Sequence, residues 1–317
     1  MKPHFAALGL ALACAALTQP AAAQISKAPP DVRAKIAEMG ARLDGPLVKE
    51  TIGLYVPLAK AAPPLEHVKV ATDLAYGADP KQKLDLYAPE GRHGMAVVVF
   101  IHGGGYVGGD KNGYGGAIYA NVARYFARQG MLGVNANYRL APAAPWPAGA
   151  EDVGKVVAWL KQNAAAYGGD PQRIFLFGHS AGATHVASYV FDAALRKGEP
   201  AGIAGAILAS GEYMVAPGVP PNVRAYFGED PSLYPARSPI THVGESKVPL
   251  LLATAEYDPV FLAVPTYALA SAVCRRDGKC PRFVWLQGHN HISETASFDT
   301  GDEELGRAVV DFVQSVR

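Results

Sequence analysis

The chain has 317 residues, half of them hydrophobic, with 29 Lys and Arg against 28 Asp and Glu and a formal net charge of +1. That length accommodates one large α/β domain or two small ones, and the apolar half supplies a sizeable core. The near-zero charge argues against a nucleic-acid or anionic-membrane surface, since no basic excess exists to steer such partners; Arg275-Arg276, the one notable basic pair, reads as a solvated helix end.

Met1-Lys2 gives a positive start, Phe5 to Leu17 an apolar stretch too short to span a membrane, and Ala21-Ala22-Ala23 a small-residue cleavage site before Gln24. Residues 1–23 are therefore expected to be a signal peptide, and the protein to be periplasmic or secreted. Cys14 lies within the apolar stretch, but Ala11-Leu12-Ala13 is a poor lipobox, so Cys14 is expected to leave with the signal. Asp31 is expected to cap a helix carrying Val32, Ile36 and Met39 and stopped by Gly40, with a second helical piece from Leu47 to Leu58.

Strands follow. His67 to Ala71 and Leu84 to Tyr87 alternate as half-exposed strands do, and Ala96 to Ile101 is a continuous apolar run of the kind buried on both faces. Ile118 to Gln129 reads as a helix stopped by Gly130, Leu132 to Ala136 as a strand, and Glu151 to Tyr167 as an amphipathic helix. Ile174 to Phe177, Ile203 to Ala209, Leu250 to Ala255 and Arg282 to Leu286 complete the strands; Val260 to Arg276 and Glu303 to Val316 are the late helices. This alternation implies an α/β fold, a mainly parallel sheet with helices on both faces. Residues 24–317 read as one catalytic domain, with 24–64 as a cap-like segment and 212–247, rich in Pro, Gly and Tyr and without a long period, as a cap or lid insertion. The sequence carries no signal of oligomeric state.

The chemistry centres on Gly178-His179-Ser180-Ala181-Gly182, a G-x-S-x-G set between an apolar strand and a helix. A turn that tight strains the serine and needs glycines where a Cβ would collide, and it pushes the Ser180 hydroxyl out at the carboxyl end of the sheet. A serine nucleophile needs a base, usually a histidine oriented by a carboxylate. Asp258, after the strand Leu250 to Ala255, fits the acid, with Glu256 as its rival. The base must follow the last strand, where Gly288-His289-Asn290-His291 offers two histidines. The oxyanion requires preorganised N–H donors: Ala181 at the helix N-terminus, and Gly104 and Gly105 from the loop His102-Gly103-Gly104-Gly105-Tyr106. His102 is expected to brace that loop and Tyr106 to line the acyl pocket. His179 is expected to point into the sheet, His185 to pack on a buried helix, and His67, His93 and His242 to lie in loops or at the surface. Gly103-x-Gly105-x-x-Gly108 formally matches a dinucleotide fingerprint and would imply an NAD(P)-dependent oxidoreductase, but no helix opens there and no ribose-binding acid follows the next strand. An inactive binding module is disfavoured by the intact set of triad residue types. In an exported protein Cys274 and Cys280, separated by an Asp277-Gly278 turn signal, are expected to bridge, with two free thiols as the alternative.

Taken in order, His102 to Gly105, Gly178 to Gly182, Asp258 and His291 resemble the α/β-hydrolase fold serine esterases, and look closest to the hormone-sensitive-lipase-like group with its feruloyl-esterase and arylformamidase relatives. Tyr138-Arg139-Leu140-Ala141-Pro142, Trp146 to Val153 and Gly168 to Ile174 are similar to segments those proteins carry ahead of the nucleophile, and the likeness runs from about Leu84 to the C-terminus. Ala143 departs from it, standing where many relatives have an acidic residue. The resemblance implies Ser180 as nucleophile, Asp258 as the orienting acid, and His291 as base, because relatives carry G-x-x-H there. His289 then lines the loop or meets the leaving group, and Glu151 and Asp152 are structural. It implies a carboxylesterase acting on a small-molecule ester, with no cofactor and no metal; short to medium acyl chains are expected because the sequence shows no long apolar lid, and feruloyl or aryl esters, aryl formamides and polyester oligomers are the alternatives for the same triad.

Overall fold

The computed structural model describes residues 26–316, so the expected signal peptide and Cys14 lie outside the described residues. Eight strands form one sheet: β1 Val68–Ala75, β2 Lys83–Pro89, β3 Met95–Ile101, β4 Leu132–Ala136, β5 Gly169–His179, β6 Gly205–Ala209, β7 Leu250–Tyr257 and β8 Arg282–Asn290. Their order is β1-β2-β4-β3-β5-β6-β7-β8, with β1/β2 and β2/β4 antiparallel and every later pair parallel. The long helices are α1 Pro30–Met39, α2 Gly45–Lys60, α3 Ala120–Arg128, α4 Ala148–Asn163 and α5 Ala181–Phe191. The short α6 Pro221–Phe227 and α7 Tyr234–Arg237 precede α8 Val260–Asp277, which is followed by α9 Ser293–Ala296 and α10 Glu304–Ser315.

The two-residue period of the central strands sorts their side chains between two cores. Val97, Val99 and Ile101 of β3 and Ile174 and Leu176 of β5 pack under α4, α5 and α8. The intervening Val98, Phe100, Phe175 and Phe177 pack under α3 and α10. Burial on both faces explains why these strands read as unbroken apolar runs. A third cluster seats Val32, Ile36, Leu47 and Tyr55 of α1 and α2 against Ile118 and Ala296, so the N-terminal segment caps the carboxyl end of the sheet rather than covering a face.

Three local expectations change. Asp31 lies inside α1 and does not cap it; Pro29 occupies the cap position, and Pro30, with no N–H to satisfy, opens the helix. Strand β2 is buried rather than half-exposed, because β1 takes the edge. Its polar Asp85 is reconciled with burial by Lys111, whose Nζ lies 2.8 Å from the Asp85 carboxylate and 2.9 Å from Asp73. Segment 212–247 is not irregular throughout; it holds α6, α7 and 3-10 turns too short to show a period. Cys274 and Cys280 are disulfide-bonded, tying the end of α8 to the approach to β8.

Lys111 and Asp85 are both essentially fully buried, and removing one member of such a pair strands the other charge. Lys111→Met is expected to destabilise the fold by about 3–5 kcal/mol, with Asp85→Leu added to it recovering most of the loss; denaturant unfolding of the two variants checks this.

Candidate active site

Ser180 joins β5 directly to α5. Its backbone sits at φ 56°, ψ −126°, a region that costs a non-glycine residue about 1–3 kcal/mol. The surroundings impose it. Ser180 N donates to Ala209 O at 2.9 Å, and the flanking glycines admit no side chain: a Cβ on Gly178 would lie 2.5 Å from Ala183 Cα, and one on Gly182 only 2.1 Å from Ile101 O. The helix is thereby driven up against the end of β3. Ala181, first residue of α5, has an N–H with no acceptor within its own helix, and Ser180 is half-buried above it.

The loop after β3 faces Ser180. Gly104 (φ 129°) and Gly105 (φ 59°) adopt backbone that side chains disfavour, and a Cβ on Gly104 would meet Gly108 O at 2.1 Å. The loop is braced from β4: Asn137 Nδ2 donates to Asp110 Oδ2 (2.9 Å), and Asn137 Oδ1 accepts from Lys111 N (2.6 Å). His102 lies beneath, with ring nitrogens 2.6 Å from Gly103 O and 3.1 Å from Asn137 Oδ1. Burial lowers its pKa to about 4, so the neutral ring donates to one of the two. Asn222 Nδ2 of α6 donates to Gly105 O (3.1 Å), tying segment 212–247 to the loop. Tyr106 OH donates to Thr184 Oγ1 (3.1 Å), and its ring stacks on Tyr226. No helix opens at Gly108; turns continue to α3, so the glycines do not form a dinucleotide cradle.

Asp258 and His291 meet across the strand ends. His291 Nδ1 lies 2.8 Å from Asp258 Oδ1, while Asp258 Oδ2 accepts from Thr254 Oγ1 (2.7 Å), Ala255 N (3.0 Å) and Ser210 Oγ. Burial pushes the Asp258 carboxyl up, but His291 and these donors outweigh it and hold it at about 2. The rival Glu256 instead accepts from Gly288 N at 2.7 Å. Ser180, His291, Gly104, Gly105, Tyr106 and Ala181 share the wall of one cavity of about 450 Å³. Residues from both segments expected as caps reach the same cavity: Leu43 and Val48 from one, Pro220, Asn222 and Val223 from the other.

His289 is not at this cavity, contrary to the expectation that it binds substrate. Gly288, at φ 77°, breaks the strand's alternation. His289 is buried beneath the N-terminal helices, its Nδ1 3.1 Å from Ser293 Oγ and its Nε2 3.7 Å from Asp302, which in turn accepts from Tyr55 OH. His179 does not simply enter the sheet either. Its Nε2 donates to His291 O (2.8 Å), and its ring packs 4.6 Å from that of His291, centroid to centroid. Burial and the neighbouring His291 lower its pKa to about 3, so it is a neutral strut. His185 packs among Tyr106, Tyr138 and Tyr226, as expected for a buried helix.

Sequence reasoning missed Ser210 and Glu294. Ser210 Oγ lies between Asp258 Oδ2 and Glu294 Oε1, the latter at 2.7 Å. One hydroxyl proton cannot bridge two carboxylates. Burial, and then the Asp258 charge, push the Glu294 carboxyl well above the usual range, so Glu294 carries the second proton and completes the chain Glu294–Ser210–Asp258–His291. The one sequence signal was an acid three residues after His291, between Ser293 and Thr295.

An eight-stranded, mainly parallel sheet with a strained serine between a central strand and its helix defines an α/β-hydrolase. The chain belongs to the prolyl oligopeptidase family, whose model matches residues 147–316; the model described as BD-FAE matches residues 84–195. The chain is 40% identical over 121 residues to a probable isoprenylcysteine alpha-carbonyl methylesterase of Oryza sativa subsp. japonica, covering 38% of this chain and 27% of that protein. It is 28% identical over 269 residues to esterase LipQ of Mycobacterium tuberculosis, covering 76% and 61% respectively. It thus spans less than two thirds of the length of these curated relatives. A hyperthermophilic esterase from the archaeon Pyrobaculum calidifontis shares the fold with a TM-score of 0.67 at 25% identity, over 91% of this chain and 97% of that one.

A carboxyl that stays neutral when folded but ionises when unfolded binds more protons in the native state, so its contribution to stability declines as pH rises above the unfolded value of about 4.5. Glu294→Gln keeps a neutral hydrogen-bonding group without that penalty. The variant is expected to gain stability relative to the wild type between about pH 5 and pH 8; urea unfolding at the two pH values checks the sign, and an ionised Glu294 would give no such gain.

Proposed function

We propose that the protein is a serine carboxylesterase that hydrolyses short- to medium-chain carboxylic esters through an acyl-enzyme. The observation that carries this is the convergence on one cavity of a strained serine, a histidine bonded to a buried carboxylate, and a glycine loop beside a helix N-terminus.

Ser180 Oγ attacks the ester carbonyl as His291 Nε2 takes its proton. Asp258, hydrogen-bonded to Nδ1, fixes the tautomer that leaves Nε2 free and stabilises the imidazolium that forms. Charge then develops on the carbonyl oxygen, and the N–H groups of Ala181, Gly104 and Gly105 receive it; donors already aimed need no reorganisation, and losing one typically costs about 10²–10³ in rate. Collapse expels the alcohol with the proton from His291, and water repeats the sequence to release the acid. Tyr106, Val223 and Ile292 give the cavity apolar walls suited to an alkyl chain. The names of the esterases matched above support the ester as the substrate bond. The Cys274–Cys280 bridge supports the exported location proposed from the signal-like N-terminus, since such bonds persist in oxidising compartments.

Ser180→Ala is expected to lower hydrolysis of p-nitrophenyl butyrate by on the order of 10⁴-fold or more with the fold retained. Retained turnover in that folded variant sinks the mechanism. His291→Ala is expected to lose a similar factor, whereas His289→Ala is expected to act mainly on stability. Steady-state kinetics and thermal unfolding of the two variants side by side separate the roles, and a larger loss of rate in His289→Ala would reverse the assignment.

A further inference from the structure

Glu212 follows β6 by three residues and lines the cavity that holds Ser180 and His291. It is only 8% exposed. Other buried carboxylates near the site have partners: Asp85 has Lys111, Asp152 has Arg139, Asp258 has His291. Glu212 has none. Among the described residues its carboxylate makes no hydrogen bond and no ion pair; only its backbone N–H is engaged, donating to Thr184 Oγ1 at 2.9 Å. Among the described residues no Lys or Arg lines the cavity, and His179 is held neutral by burial. Burial alone raises the Glu212 carboxyl to about 7.

A desolvated carboxylate without a counter-charge is unfavourable, and a ligand that brings the missing cation relieves it. The walls suit such a ligand. Tyr106, Tyr119 and Phe261 line the same space, and aromatic side chains attract alkylammonium groups. We propose that Glu212 is the recognition site for esters carrying a fixed positive charge, an alkylammonium group, on the acyl or alcohol arm. The assignment rests on the esterase reading and adds a substrate class to it.

Two isosteric pairs test it. Butyrylcholine and 3,3-dimethylbutyl butyrate differ by a charged nitrogen in the alcohol arm; p-nitrophenyl 4-(trimethylammonio)butyrate and p-nitrophenyl 5,5-dimethylhexanoate differ likewise in the acyl arm. At about pH 8, where Glu212 is mostly ionised, the wild-type chain is expected to prefer the cationic member of at least one pair by about tenfold or more in kcat/KM. Glu212→Gln is expected to remove that preference, and Glu212→Asp, which keeps the charge on a shorter arm, to retain part of it. If the wild type hydrolyses the neutral members and prefers the cation in neither pair, the Glu212 assignment falls and the esterase reading stands; this arm needs no variant. A preference that survives in a folded Glu212→Gln also overturns the assignment. Turnover of none of the four esters removes the esterase reading and this one with it.

Discussion

The close approach of α5 to the ends of β3 and β5 is the constraint on which the rest of the site depends. It exists because residues 178 and 182 have no Cβ: any side chain there would overlap backbone of α5 or of β3. The same approach holds Ser180 at positive φ at the cavity wall and leaves the Ala181 N–H, in the first turn of α5, without an acceptor in its own helix. The strain is sustained by two packed cores, one on each face of the sheet, which fix where β3, β5 and α5 lie.

Around that turn, each part of the site sits at the carboxyl end of a strand and is held by a partner from another strand. Asn137 at the end of β4 braces the glycine loop after β3. Ser210, after β6, and Thr254, in β7, bind the Asp258 carboxylate. His179, at the end of β5, holds the His291 carbonyl. The result is a polar network with few free orientations, which suits a reaction in which donors must be aimed before charge develops. Glu294 is the cost of that network: burial and the neighbouring Asp258 keep its carboxyl protonated, and His179, 3.4 Å away, is neutral. Glu212 differs in kind. Among the described residues its carboxylate has no partner, and it lines the cavity.

Much of this was legible in the chain. The central strands showed as apolar runs because they are buried on both faces, and the long helices showed through their period. The order of glycine loop, serine turn, acid and histidine is also local information, since each group is recognised by the strand before it. Short helices such as α6, α7 and α9 were hidden because four to seven residues cannot display a helical period. Strand β2 misled because Asp85 alternates like a solvent-facing residue but is neutralised by Lys111, 26 positions later.

The sequence by itself determined the fold class and the residues able to do the chemistry, because turn geometry, strand burial and the G-x-S-x-G spacing are enforced over a few residues. Only the tertiary structure decided which histidine faces the cavity, since a positive-φ glycine two residues ahead of Asn290 redirects His289 toward Asp302. It alone brought Ser210, Asp258 and Glu294 together across 48 and 84 positions and left the Glu212 carboxylate without a partner among the described residues. Those facts depend on distances between strand ends, and a distance of that kind has no period or motif along the chain.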